Sequence, residues 1–298
     1  MRTKTLILSI MLLLVAGVAE AKKLRVIAHR GYWNTEGSSR NSISALNNAM
    51  TIGAYGAEFD VNMTADGVLV VHHDAKTSNG LQIEKLTFAE LREKAPKLSN
   101  GELIPTLDDY LTTWNHNKKT KLVFEIKPQS SPEFETRMVE ACLEALRKNQ
   151  VSDKEVEFIS FSYHVCKELK RLRPTAVVLP LSTAEAEPEQ MFKDGMDGFD
   201  LHYNVLREHP EWVELAKSQK KIVNVWTVNQ EDVMREMINL GVDYITTDEP
   251  VLLKKVIKGK KKVVLRTTHG NRLKKRLLDE SSGRFFSLLS VRIWRPNM

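Results

Sequence analysis

From Leu24 onward the chain alternates short apolar runs with longer stretches in which apolar residues recur every three or four positions. The first kind reads as strand, the second as helix with one buried face. The strand candidates are LRVIAHR from Leu24, GAEFDVNM from Gly56, KLVFEIKP from Lys121, VEFISFS from Val156, AVVLPLS from Ala176, GFDLHY from Gly198, IVNVWTV from Ile222 and DYITTDEP from Asp243. Helical faces occur in SISALNNAMTIG, PEFETRMVEACLEALRKN, HVCKELKRLR, EWVELAKSQK and EDVMREMINLG. Such alternation argues for a parallel sheet with helical crossovers, and a doubly wound sheet would satisfy it too. Eight units between about Leu24 and Lys258 fit better with a (β/α)8 TIM barrel, a fold of roughly 250 residues.

One connection breaks the rhythm. The stretch ADGVLVVHHDAKTSNGLQIEKLTFAELREKAPKLSNGELIPTLDDYL, from Ala65 to Leu111, is too long and too strand-rich for a single helix. It predicts a small hairpin and a helix inserted after the second strand, at the face where barrels carry function.

The two ends do not follow the barrel pattern. Residues 1–21, MRTKTLILSIMLLLVAGVAEA, combine a basic start, an apolar run from Leu6 to Val18 and small residues at Ala19 and Ala21 before Lys22. This predicts a cleaved signal peptide and a secreted or periplasmic protein. The apolar run is shorter than the roughly 20 residues of a spanning helix. The barrel is expected over 22–260 and a poorly ordered basic tail over 261–298.

Charge sharpens that division. The chain carries 44 Lys and Arg against 38 Asp and Glu, but 14 of the bases and only 2 of the acids lie from Lys254 to Met298. The preceding chain therefore holds 30 bases against 36 acids, which gives nucleic-acid binding by the barrel no electrostatic support. The tail reads as a solvated appendage or as a weak contact to an anionic membrane. Cys142 and Cys166 both fall in helical patterns and are expected as buried free thiols.

Residues two apart in a strand face the same side, so Glu58 and Asp60 point together, as do Glu125 and Lys127. Three carboxylates meeting inside a barrel would be costly unless compensated. Two readings remain open on residues alone: a hard divalent cation held by the acids, or a salt-bridge network through Lys127. His29 ends the first strand beside Arg30 and Gly31, and His73 ends the run VLVV, with His72 before it and Asp74 after it. Imidazoles titrating near neutrality serve as acid and base, and a guanidinium holds phosphate oxygens in a fork. Together these groups suit metal-assisted phosphoryl chemistry.

The motifs IAHRG, NSISAL, GAEFDVNMTADGVLVVHHD, IPTLDDYL, LVFEIKP, VNVWTVN and GVDYITTDEP, in this order, resemble the glycerophosphodiester phosphodiesterase family across nearly all of Leu24 to Lys258. The resemblance implies that Glu58, Asp60 and Glu125 bind one divalent cation, Ca2+ or Mg2+. It implies that His29 and His73 are the acid-base pair, and it selects His73 over His72. Arg30 and Lys127 would contact phosphate, and Trp226 would either border the substrate or cap the core. The implied reaction cleaves a small glycerophosphodiester to glycerol 3-phosphate and an alcohol, by attack of the glycerol 2-hydroxyl on phosphorus and opening of a cyclic phosphate. Rival readings are the same barrel acting on lysophospholipids or polymeric glycerophosphates, and a silent barrel that only binds phosphate esters. One departure stands out: Arg40 precedes Asn41 and Ser42 where the family usually carries Glu.

Overall fold

The structure, a computed structural model, describes residues 24–259. The predicted signal peptide and basic tail lie outside the described residues. In chain order the elements are β1 (Arg25–Ala28), α1 (Ile43–Thr51), β2 (Gly56–Met63), β3 (Leu69–Val71), α2 (Phe88–Lys94), α3 (Leu107–Asn115), β4 (Lys121–Ile126), α4 (Pro132–Lys148), β5 (Val156–Ser160), α5 (Tyr163–Leu172), β6 (Val177–Pro180), α6 (Pro188–Lys193), β7 (Gly198–His202), α7 (Tyr203–Glu208), α8 (Glu211–Ser218), β8 (Ile222–Trp226), α9 (Glu231–Leu240) and β9 (Tyr244–Thr247), followed by helical residues 250–259.

Eight strands run parallel in the order β6-β5-β4-β2-β1-β9-β8-β7, with β3 antiparallel on β2. The β6–β7 seam nearly closes the barrel: the Asp197 main-chain N–H donates to the Val178 carbonyl at 3.1 Å, and its carboxylate accepts from the Val178 N–H at 3.0 Å. All eight predicted strands are present, and the predicted hairpin and inserted helix appear as β2–β3 and α2. The short helices α6 and α7 had no sequence forecast, since six residues each are too few to display a helical period.

Local chemistry sets the helix ends. Ser42 accepts from the Ala45 N–H at the start of α1, and Thr87 with Glu90 and Thr106 with Asp109 form reciprocal capping boxes on α2 and α3. Gly241 ends α9 in the left-handed region at φ 93°. Strand alternation then sorts the side chains. Ala57, Phe59 and Val61 of β2 and Leu122, Phe124 and Ile126 of β4 join the outer core beneath the helices, where the Phe59 ring lies 4.5 Å from Tyr110 of α3 and 4.8 Å from Phe124. Ile27, Val123, Ile159 and Leu179 form a smaller cluster within the barrel. Below it, the Tyr55 hydroxyl donates to Glu157 at 2.6 Å and Lys121 donates to the same oxygen at 2.9 Å. Above it lie the acids.

Cys142 and Cys166 are buried and free, as expected. No described helix is long and apolar enough to cross a membrane.

Candidate active site

The C-terminal ends of β1, β2, β4 and β9 deliver most of the chemistry. Glu58 and Asp60 from β2 and Glu125 from β4 are all buried, and one oxygen from each lies within 4.8 Å of the others. The register that pairs Asp60 with Glu125 across β2 and β4 brings them together. Lys127 continues the inward face of β4 and donates to Glu125 Oε1 at 2.6 Å and Asp60 Oδ1 at 3.3 Å. The side chain of Asn41 donates to Asp60 Oδ2 at 2.8 Å and accepts from the Asp60 N–H at 3.2 Å. The Arg30 backbone N–H donates to Glu58 Oε2 at 2.7 Å, while the other carboxylate oxygen, Glu58 Oε1, is buried without a partner.

These acids are not equally satisfied. Burial, then the charges of Asp60 and Glu125, holds the Glu58 carboxyl well above the usual carboxylate range. Burial and Asp60 push Glu125 up to about 7, although Lys127 opposes them. Burial pushes Asp60 upward too, but Lys127, His73, Asn41 and Arg30 outweigh it and hold Asp60 low. Lys127 loses hydration on burial, yet Glu125 and Asp60 leave it raised overall. The salt-bridge network expected as one reading is therefore present, yet it leaves Glu58 and Glu125 poorly stabilised as carboxylates and one carboxylate oxygen orphaned. Three converging hard oxygen donors, two of which need a further cation to ionise, fit a divalent ion.

His29 and His73 flank this cluster. His29 Nδ1 lies 2.8 Å from Asp248 Oδ1, and Nε2 faces Glu58 Oε2 at 4.0 Å. Asp248 also accepts from Trp33 Nε1 and Asn229 Nδ2, each at 2.8 Å. Burial opposes ionisation of Asp248, but these donors, led by His29, bring it down to about 2. Asp248 is thus a carboxylate placed to accept Nδ1–H, which turns Nε2 of His29 toward the mouth. His73 Nδ1 meets Asp74 Oδ1 at 2.7 Å. Burial lowers the His73 pKa; Asp60 opposes this, and Lys127 and Arg30 add to it. His72 turns to the Asp74 carbonyl at 3.0 Å instead.

β1 stops at Ala28, earlier than its sequence pattern suggests, because Arg30 and Gly31 take φ 54° and 74°. A Cβ on Gly31 would lie 2.7 Å from the Ala45 backbone, so α1 packs against the turn only because glycine is there. That turn aims the Arg30 side chain at the acids: its Nε is 3.7 Å from Asp60 Oδ2 and is buried without a hydrogen-bond partner. Trp226 stands apart from the acids in an aromatic group, 5.5 Å from Phe161 and 5.2 Å from His202, both nearly edge-on. Its indole N–H donates to the Asp200 carbonyl at 3.1 Å.

Sequence reasoning did not single out Asp248, Asn41, Asn229 and Trp33. Three of them lie inside motifs read for other reasons; Asp248 follows directly on β9 and Asn229 lies three residues past β8. Position just past a strand's C-terminal end was the signal that would have found Asp248 and Asn229; Trp33 and Asn41 lie deeper in the loop between β1 and α1 and carry no such mark.

The glycerophosphoryl diester phosphodiesterase family profile matches residues 29–252. The glycerophosphodiester phosphodiesterase of Caldanaerobacter subterraneus subsp. tengcongensis is 32% identical over 243 residues, 78% of this chain and 96% of that protein. The crystal structure of a glycerophosphodiester phosphodiesterase from Parabacteroides distasonis aligns with a TM-score of 0.77 at 42% identity, over 80% of this chain and 99% of that one. An Oleispira antarctica phosphodiesterase, solved in complex with the product sn-glycerol-3-phosphate, aligns with a TM-score of 0.70 at 25% identity, over 78% and 96%.

Proposed function

The chain belongs to the glycerophosphoryl diester phosphodiesterase family, and from that premise we propose that it cleaves glycerophosphodiesters to glycerol 3-phosphate and an alcohol by acid-base catalysis between His29 and His73. The observation that carries this reading is the convergence of Glu58, Asp60 and Glu125, with one carboxylate oxygen orphaned, between those two imidazoles. Glu58, Asp60 and Glu125 are the residues that would hold a divalent cation. When bound, it supplies charge neutralisation at the phosphate oxygens.

The protein's own groups account for the rest. Arg30 and Lys127 bring guanidinium and ammonium donors to the phosphate. One imidazole accepts the proton of the glycerol 2-hydroxyl as its oxygen attacks phosphorus, and the other protonates the departing alcohol oxygen. The resulting cyclic phosphate opens when water adds to phosphorus and the roles of the imidazoles reverse. Tethering nucleophile and phosphate in one molecule removes the entropic cost of bringing them together. Trp226, at the end of β8, packs on Phe161, whose ring lies 5.8 Å from the Lys127 ammonium, and from there would border the substrate's far end.

A phosphate-ester binder without catalysis would have no use for two imidazoles each paired with a carboxylate. The deciding experiment incubates the purified protein with a panel of glycerophosphodiesters and lysophospholipids, with chelator and after restoring Ca2+ or Mg2+. Metal-dependent release of glycerol 3-phosphate is the expected result. Binding without turnover, or turnover of lysophospholipids alone, rejects the reading.

Export is proposed from residues 1–21, with a mature start near Lys22; native protein that begins at Met1 would overturn it. The basic tail is proposed as a weak contact to anionic membrane, so truncation after Lys258 is expected to abolish vesicle binding and spare turnover of soluble diesters.

A further inference from the structure

We propose that Arg40 reads the alcohol half of the substrate and favours glycerophosphodiesters whose alcohol carries a second anionic group, a carboxylate or a further phosphate. The inference rests on the diesterase reading above.

The β1–α1 loop that supplies His29 and Arg30 also supplies Trp33, Arg40 and Asn41. Trp33 donates its indole N–H to the Asp248 oxygen that holds His29, so its ring is part of the wall beside the acid-base site. The Arg40 guanidinium stacks over that ring at 4.2 Å. Arg40 is exposed, and among the described residues no carboxylate pairs with it. Stacking on an indole restrains a guanidinium without using its hydrogen-bond donors, which leaves the fork free for a ligand. The backbone next to it is fixed as well. Asn41 takes φ 59°, donates its N–H to the Arg30 carbonyl at 3.0 Å and clamps Asp60 with its side chain.

Charge balance indicates what the free fork is for. A simple phosphodiester carries one negative charge, and Arg30 and Lys127 already face it. Glycerol adds none. A further anion beside the wall of the site can come only from the alcohol.

Two matched substrate pairs test the idea: glycerophosphoserine against glycerophosphoethanolamine, which differ by one carboxylate, and glycerophosphoglycerol with and without a terminal phosphate. The wild type is expected to prefer the more anionic member of at least one pair, and the pair that responds identifies the source of the anion. Arg40→Gln should reduce that preference roughly tenfold, the scale of one charge-assisted hydrogen bond, through KM and not kcat. Arg40→Lys should keep part of it, and Arg40→Glu should reverse it. Raising the salt to about 0.5 M should narrow it, because an exposed pair is screened. A preference equal in wild type and Arg40→Gln overturns the proposal. So does an equal loss on all four substrates, which would mean that Arg40 only covers Trp33. If the wild type cleaves none of the four with metal present, the diesterase reading itself has failed.

Discussion

Asp248 Oδ1 meets His29 Nδ1 at 2.8 Å across the junction of β9 and β1, two strands that are neighbours in the barrel and lie at opposite ends of the sequence. The carboxylate fixes the imidazole tautomer and leaves Nε2 to exchange a proton at the mouth. Asp248→Asn keeps the shape but removes the charge, and an amide that donates to Nδ1 would place the ring proton on Nε2. Turnover is expected to fall by roughly 10² to 10⁴, the worth of a positioned acid-base group, with divalent affinity by calorimetry little changed.

His72 and His73 are adjacent yet have different surroundings: Asp60 and Lys127 act on the His73 ring, and the His72 ring turns to a carbonyl. His73→Ala should therefore cost on the order of 10² to 10⁴ in kcat, and His72→Ala less than about tenfold. Steady-state rates of the two folded variants decide this, and equal rates would remove His73 from the mechanism.

The acids are predicted to bind a divalent cation in the folded protein alone. Excess Ca2+ or Mg2+ should then raise Tm over chelated protein, with about 2.7 kcal/mol gained at a hundredfold excess over Kd. Asn41→Ala, which frees Asp60 from two hydrogen bonds, should weaken the affinity by roughly 10- to 100-fold. Glu58→Gln should weaken it at least as much. A Tm indifferent to metal in the wild type would contradict the cation site.

Asp200 offers a test of pH dependence. It is buried inside the barrel, neither carboxyl oxygen has a hydrogen bond of ordinary geometry, and burial, opposed by the nearby Asn224 amide, holds its pKa well above the ordinary range. The unfolded chain releases this proton near pH 4 and the folded chain keeps it, so Asp200's contribution to stability is complete below about pH 4 and declines as the pH rises toward the folded value. Asn carries no such proton. The Tm of Asp200→Asn relative to wild type should climb steadily from pH 4 to pH 8, and a gap independent of pH would show that Asp200 ionises normally.

The sequence by itself determined the repeating unit. Apolar strand runs such as KLVFEI and one-faced helices such as that from Pro132 to Lys148 are local patterns, set by which residues can be buried at period 2 or 3.6. The same period of two placed Glu58 beside Asp60 and Glu125 beside Lys127, and strand ends marked His29 as chemistry. Tertiary structure decided what no local period encodes. Register between β2 and β4 brings Glu125 opposite Asp60, and closure of β9 on β1 carries Asp248 to His29 across more than 200 residues. The positive φ angles of Arg30, which ordinarily avoids that region, and of Asn41, which tolerates it, turn one loop so that it holds Asp60, meets Glu58 and sets Arg40 on Trp33. Hydrogen bonds and charges act over a few ångströms in space, whatever the separation along the chain, so only the folded barrel reveals that Asp248 serves His29, whereas Asp74 stands next to His73 in the chain itself.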